Sequence, residues 1–153
     1  DSSDSGVSRR LLGSLLTWMA ESRTRVFIVA TANDIESLPP ELLRKGRLDE
    51  IFFVDLPDED TRKKILEIHL AKRKVTPNGI DLAACASACE GFSGAEIEQA
   101  VVSALYSAHA RKQTMTTQTV MDEIGRTRPL SVVMSERIAQ LRAWARERTV
   151  PAN

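Results

Sequence analysis

The period of the apolar positions changes along the chain. From Ser8 to Ser22 they recur as two adjacent rows, Leu11, Leu15, Trp18 and Leu12, Leu16, Met19, the i, i+4, i+7 spacing of one broad helical face. That spacing predicts a helix resting on a core. Arg25-Val26-Phe27-Ile28-Val29-Ala30-Thr31 is instead a short unbroken apolar run rich in β-branched residues, the pattern of a strand covered on both faces in a parallel sheet. Residues 39–46, with prolines at the start and Gly46 at the stop, predict a helix of one to two turns. Ile51–Val54 predicts a second short strand, closed by Asp55-Leu56-Pro57. Two strands do not make a stable sheet alone, so further strands are expected from sequence upstream of Asp1.

Beyond Pro57 the strand signals stop and helices take over. They are predicted over Asp60–Lys74, with Ile65, Leu66 and Ile68 inward, and over Asp81–Cys89 after a Thr76-Pro77-Asn78-Gly79 turn. Ser93-Gly94-Ala95-Glu96 is a capping box opening a third helix, followed by Ile97, Val101, Leu105 and Ala108 on one face. A helix near Thr117–Arg126, a break at Pro129 and a helix over Ser135–Arg148, with Ile138, Leu141 and Ala145 inward, complete the chain.

Composition narrows the function classes. The 153 residues suit about one domain of about 100–200 residues. The 21 basic and 21 acidic side chains cancel, so no global field recruits nucleic acid, anionic lipid or an acidic substrate. Apolar runs stay far short of the roughly 20 residues that span a bilayer, and the opening does not resemble a signal peptide, so a cytoplasmic location is expected. Residues 1–6, rich in Asp, Ser and Gly and lacking an initiator Met, predict a flexible opening cut from the loop of a longer protein. Cys85 and Cys89, four apart in an Ala-rich helical pattern, read as buried thiols and not as a disulfide, and two Cys with two scattered His give no metal cluster.

The sequence carries little self-contained catalytic chemistry. His69 and His109 lack a Ser, Cys or carboxylate constellation that sequence can assemble. None of the seven glycines precedes a Lys, which excludes the G-x-x-x-x-G-K-[ST] phosphate loop. Ile51–Asp55 imitates the strand and acid that carry Mg²⁺ in such enzymes, but Leu56 and Pro57 follow where a second carboxylate would stand. Three polar features survive. Asn33 lies just past the end of the predicted buried strand, at the edge where open α/β sheets bind ligands. Arg44 and Arg47 flank Gly46 at the end of a short surface helix, free to reach a neighbour's phosphate. Residues 91–96 form a helix N-terminus whose exposed amides and small side chains admit close approach of a ligand.

In this order, Val26–Asn33, Leu38–Asp49, Val54–Pro57 and Gly91–Ile97 resemble the second half of an AAA ATPase module, over roughly Ser8 to Leu130. Within the family the sequence looks most similar to bacterial and plastid-type AAA proteins of undefined role, and more broadly to the clade holding unfoldases and membrane-bound AAA proteases. The resemblance implies an α/β fold: an incomplete P-loop NTPase domain over residues 1–57, followed by an all-α lid at 58–130 and a C-terminal helical extension at 131–153. It implies ATP and Mg²⁺ as cofactors of a parent protein that supplies both Walker motifs, with neither bound tightly by this chain alone. It implies a ring, commonly a hexamer, that remodels an unidentified protein substrate.

Residue by residue, Asn33 matches the sensor-1 position that orients the attacking water, although Ala32 between Thr31 and Asn33 leaves Asp34 as a neighbouring choice. Arg44 and Arg47 match the paired arginines that reach ATP on the next subunit, Arg47 being the better finger. His69 falls where a His near the adenosine is common, and Gly94 and Ala95 match the sensor-2 pair beside base and ribose. Lys45 and Leu48 depart from the Pro and Phe of many relatives, which changes the rigidity and packing of the arginine loop. Two other classes stay open: a helical interaction or oligomerisation module without catalysis, and a clamp-loader-like nucleic-acid motor, which the neutral charge opposes.

Overall fold

Side-chain caps set where the helices begin. The computed structural model describes residues 2–22 (side chains from Arg10 on), 25–32, 34, 35, 38, 40, 48–77 and 79–152. The predicted helix at 39–46 lies outside them apart from Pro40. The chain divides into two units, one of residues 1–52 with 148–150, the other of 53–147 with 151–153.

In the first unit α1 runs Ser2–Glu21 and so includes most of the opening expected to be a flexible loop. The face expected to be covered is open: Leu11, Leu15 and Trp18 are exposed, while Leu12, Leu16 and Met19 are half-buried. Residues 25–32 form no strand, contrary to the sequence expectation, and Phe27 is 93% exposed. The reason is lateral: a strand needs a neighbour to satisfy its N–H and C=O groups, and no described segment pairs with this one. Strand β1 shortens to Phe52–Phe53. Its partner is β2, Val150–Pro151, a segment without strand signals. Val150 N–H donates to the Ile51 carbonyl at 2.9 Å and Ala152 N–H to the Phe53 carbonyl at 3.0 Å, so numbering rises along both strands and the ladder is parallel. Pro151, which has no N–H, occupies the position between the two donors.

The second unit holds the core. Its helices are α2 (Glu59–Lys72), α3 (Leu82–Ala88), α4 (Gly94–Ala110) and α5 (Thr117–Arg126), followed by α6 (Leu130–Val133) and α7 (Ser135–Ala145). Asp58, Asp81, Ser93 and Thr116 cap the first four, each side chain accepting a backbone N–H from the first turn and satisfying an orphan donor there. Helix α4 packs against α2 and α5, and α3 against the same two. Leu66, Leu70, Phe92, Ile97, Val101 and Val120 fill the centre, and Cys85, Ala100 and Ala104 keep the helices close. On α2 the expected inward set shifts: Leu66 and Leu70 are buried and Ile65 is half-buried, but Ile68 is 61% exposed, because the row through 62, 66 and 70 meets the core. The C-terminal helix ends at Ala145, short of the expected Arg148, and Ala145 is buried as expected.

Both cysteines are free and buried, as their spacing predicts. Burial pushes the Cys89 thiol up to about 11, with Cys85 adding to it and Arg62 opposing it. Such thiols stay protonated and unreactive at neutral pH. Gly91 adopts φ +77, a conformation that side chains disfavour, and a Cβ there would collide with the Ser131 hydroxyl. The glycine therefore lets the turn before α4 and the start of α6 meet.

Candidate functional site

Two helical rows meet where the sequence placed its lid residues. Ile65, His69 and Arg73 succeed one another at i+4 along α2 and its C-cap, and Gly94 and Glu98 do so on the first turns of α4. A Cβ added to Gly94 would lie 3.6 Å from Ile65 Cδ1, an ordinary van der Waals contact. His69 Nδ1 lies 3.3 Å from Glu98 Oε1, and Arg73 Nη2 donates to the same oxygen at 2.8 Å. The structure thus brings His69 and Gly94 onto adjoining rows, with Ala95 exposed beside Gly94. Asn33, Arg44 and Arg47 lie outside the described residues.

The helix N-terminus differs from the sequence expectation of open amides. Ser93 N–H and Oγ–H both donate to Glu96 Oε2 at 2.7 Å, and Glu96 N–H donates to Ser93 Oγ at 3.4 Å. Glu96 Oε1 accepts from Leu130 N–H at 2.8 Å, a tie from α4 to the start of α6 that sequence reading missed. A carboxylate already occupies this positive helix end, so a phosphate there would meet repulsion. What remains at Gly94 and Ala95 is a neutral, small-residue surface.

The electrostatics of the rows are local. The Arg73 hydrogen bond, foremost, outweighs desolvation and, with the charges of Arg73 and Lys72, holds the Glu98 carboxyl below its ordinary range. His69 Nε2 makes no hydrogen bond among the described residues. Ile65 supplies an apolar neighbour, and among the described residues nothing demands a glycine at 94: its φ is not positive and a Cβ meets only ordinary contact. A polar ring nitrogen, an apolar side chain and a missing Cβ thus stand side by side on the two rows. His109, exposed on the last turn of α4, joins no such group.

Two other polar features were illegible in sequence. Arg62 is buried, its Nε donating to the Ala86 carbonyl at 2.8 Å and Nη1 to the Pro57 carbonyl at 2.9 Å. Asp55, the acid of the strand that imitates a Mg²⁺ site, is gripped by Arg142 of α7, with Nε donating to Oδ2 at 2.8 Å and Nη2 to Oδ1 at 2.9 Å. Partial burial pushes the Asp55 carboxyl up, but the Arg142 hydrogen bonds, the Leu56 N–H and the Arg142 charge together hold it below its ordinary value. Among the described residues no group of three or more His, Cys, Asp or Glu could hold a metal ion.

The Asp55 pair predicts a pH dependence. A carboxyl lowered on folding stabilises the fold above its unfolded value of about 4, and loses that contribution as pH falls through the lower folded value. For a partly exposed bidentate pair the contribution is about 0.5–1 kcal/mol. Urea denaturation is expected to show wild type ahead of Asp55→Asn by that amount at neutral pH, with the gap closing as pH falls below about 4. A gap that widens on acidification contradicts the pair.

Comparisons with known proteins show the family. Residues 1–56 match the family model "ATPase family associated with various cellular activities (AAA)", and residues 79–123 match the AAA+ lid domain. The chain is 43% identical over 143 residues to the uncharacterized AAA domain-containing protein ycf46 of Pyropia yezoensis, covering 93% of this chain and 29% of that protein. It is 41% identical over 143 residues to the ycf46 protein of Guillardia theta, with 93% and 28% covered. It is 37% identical over 108 residues to the ATP-dependent zinc metalloprotease FtsH 2 of Sphaerobacter thermophilus, with 70% and 16% covered. The chain therefore spans less than a third of the length of these relatives. No helix among the described residues is long and apolar enough to cross a membrane.

Proposed function

The chain belongs to the AAA family of ATPases, part of an α/β core followed by an all-α lid, and on that premise we propose that it works within a longer protein that couples ATP hydrolysis to the remodelling of a protein substrate. The observation that carries the reading is the pair of adjoining rows, Ile65–His69 against Gly94–Glu98, with a glycine that the fold itself does not require. His69, Gly94 and Ala95 hold the adenosine. Asn33 orients the attacking water, and Arg47, with Arg44 beside it, reaches the nucleotide of a neighbouring subunit. Residues 1–57 serve as core, 58–130 as lid and 131–153 as C-terminal extension. ATP with Mg²⁺ is the cofactor pair, bound with the help of Walker motifs that this sequence does not contain, and bound Mg²⁺ supplies charge neutralisation at the phosphates. The machine is a cytoplasmic ring, probed best as a hexamer.

A trans arginine couples turnover to assembly, because the group that stabilises the developing charge sits on a different subunit from the bound nucleotide. ATP turnover per subunit of the parent protein is expected to rise steeply with protein concentration and level off as rings fill. Specific activity that stays constant from dilute monomer to assembled protein, or no turnover at any concentration, overturns this function.

A further inference from the structure

Three contacts decide which nitrogen of His69 carries the proton. Arg73 Nη1 lies 3.3 Å from His69 Nδ1 and also donates to the His69 carbonyl at 3.2 Å, while Nη2 donates to Glu98 Oε1 at 2.8 Å. A guanidinium has donors only and keeps its proton, so a hydrogen bond from Nη1 requires a lone pair on Nδ1. A neutral imidazole with its lone pair at Nδ1 carries the proton on Nε2. Glu98 Oε1 stands 3.3 Å from the same Nδ1 and is, among the described residues, the group placed to draw the proton the other way, but its shorter contact is to Arg73. The arrangement is held in place: the Arg73 side chain is only 19% exposed and is pinned by the anionic Glu98 and by the His69 backbone.

We infer that Arg73 is a positioning residue that fixes His69 as the Nε2–H tautomer, making it a hydrogen-bond donor toward an acceptor on the nucleoside. This rests on the reading of His69 as an adenosine contact. Were the proton on Nδ1, Nε2 would be an acceptor and would select a donor such as the adenine amino group. As a donor it selects a purine ring nitrogen or a ribose oxygen, which are the two sources of the same chemistry.

The test uses the parent protein with ¹⁵N-labelled histidine, the His69 signals being assigned with His69→Gln. Long-range proton–nitrogen correlation is expected to show the Nε2–H pattern in wild type, a shift toward Nδ1–H in Arg73→Met, and recovery in Arg73→Lys, which still donates. An Nδ1–H pattern in folded wild type overturns the inference without touching the proposed function. Binding is then compared for ATP, for analogues with one adenine ring nitrogen replaced by C–H, and for 2′-deoxy-ATP. One analogue is expected to bind about 5–10-fold more weakly to wild type and no more weakly to His69→Leu, which has no donor. A ring-nitrogen analogue that behaves so locates the acceptor on the base, and the deoxy analogue locates it on the ribose. Equal losses in both proteins, or none, overturn the donor role. Failure of wild type to bind ATP overturns the proposed function, while the tautomer pattern still decides the part played by Arg73.

Discussion

Replacing Arg47 by Ala in the parent protein is expected to lower ATP turnover by about 10³–10⁵-fold while leaving ATP bound, by analogy with arginine fingers in GTPases. The size follows from where the charge is needed. In phosphoryl transfer the protein does little covalent chemistry, and negative charge spreads over the oxygens of the transferred group. A guanidinium offered at that moment stabilises the transition state more than the bound nucleotide, so its loss lowers kcat with little effect on ground-state affinity. The assay is steady-state turnover beside equilibrium ATP binding for wild type, Arg47→Ala and Arg44→Ala. If Arg47→Ala hydrolyses ATP as fast as wild type and Arg44→Ala does not, Arg44 is the finger. If neither matters, the trans mechanism fails.

The second large effect concerns stability. Arg62→Ala is expected to destabilise the helical unit by about 2–3 kcal/mol, lowering its Tm by about 10–20 °C. Arg62 meets two carbonyls inside the protein, and the Ala86 carbonyl belongs to the last turn of α3, where the helix dipole favours a cation. Truncation leaves both carbonyls without that donor, the first on a fully buried residue, and removes the packed stem as well. Arg62→Met, which keeps the stem and drops the buried charge, is expected to recover part of the loss. Thermal unfolding followed by circular dichroism checks both, and an Arg62→Ala protein that melts within about 2 °C of wild type contradicts the role assigned to these bonds.

The lid was legible in sequence because its signals are local. A cap hydroxyl three residues from a glutamate and a 3.6-residue apolar period act within one or two turns, so the α4 capping box and the limits of α5 stand where the pattern put them. Residues 25–31 show the opposite case. Their apolar run describes a strand that needs neighbours, and no described segment offers its edge, so the pattern is present without the pairing. The links that tie the second unit together, Arg62 to Ala86, Asp55 to Arg142 and Glu96 to Leu130, join residues 24, 87 and 34 positions apart and leave no periodic trace. His69 and Gly94 were found through their likeness to a family pattern. The partnership of His69 with Arg73 and Glu98 appears only when α2 and α4 are packed, since Glu98 reads in sequence as one more exposed helix charge.

Gly94→Ala decides whether the rows of α2 and α4 hold the adenosine. Among the described residues its Cβ meets only the Ile65 side chain, at ordinary contact distance, so the variant is expected to melt with wild type. The measurement is equilibrium ATP affinity of the parent protein by calorimetry. Affinity is expected to be about 10-fold or more weaker, since one methyl forced into an occupied contact costs about 1–3 kcal/mol. Unchanged affinity in a folded Gly94→Ala protein would contradict it.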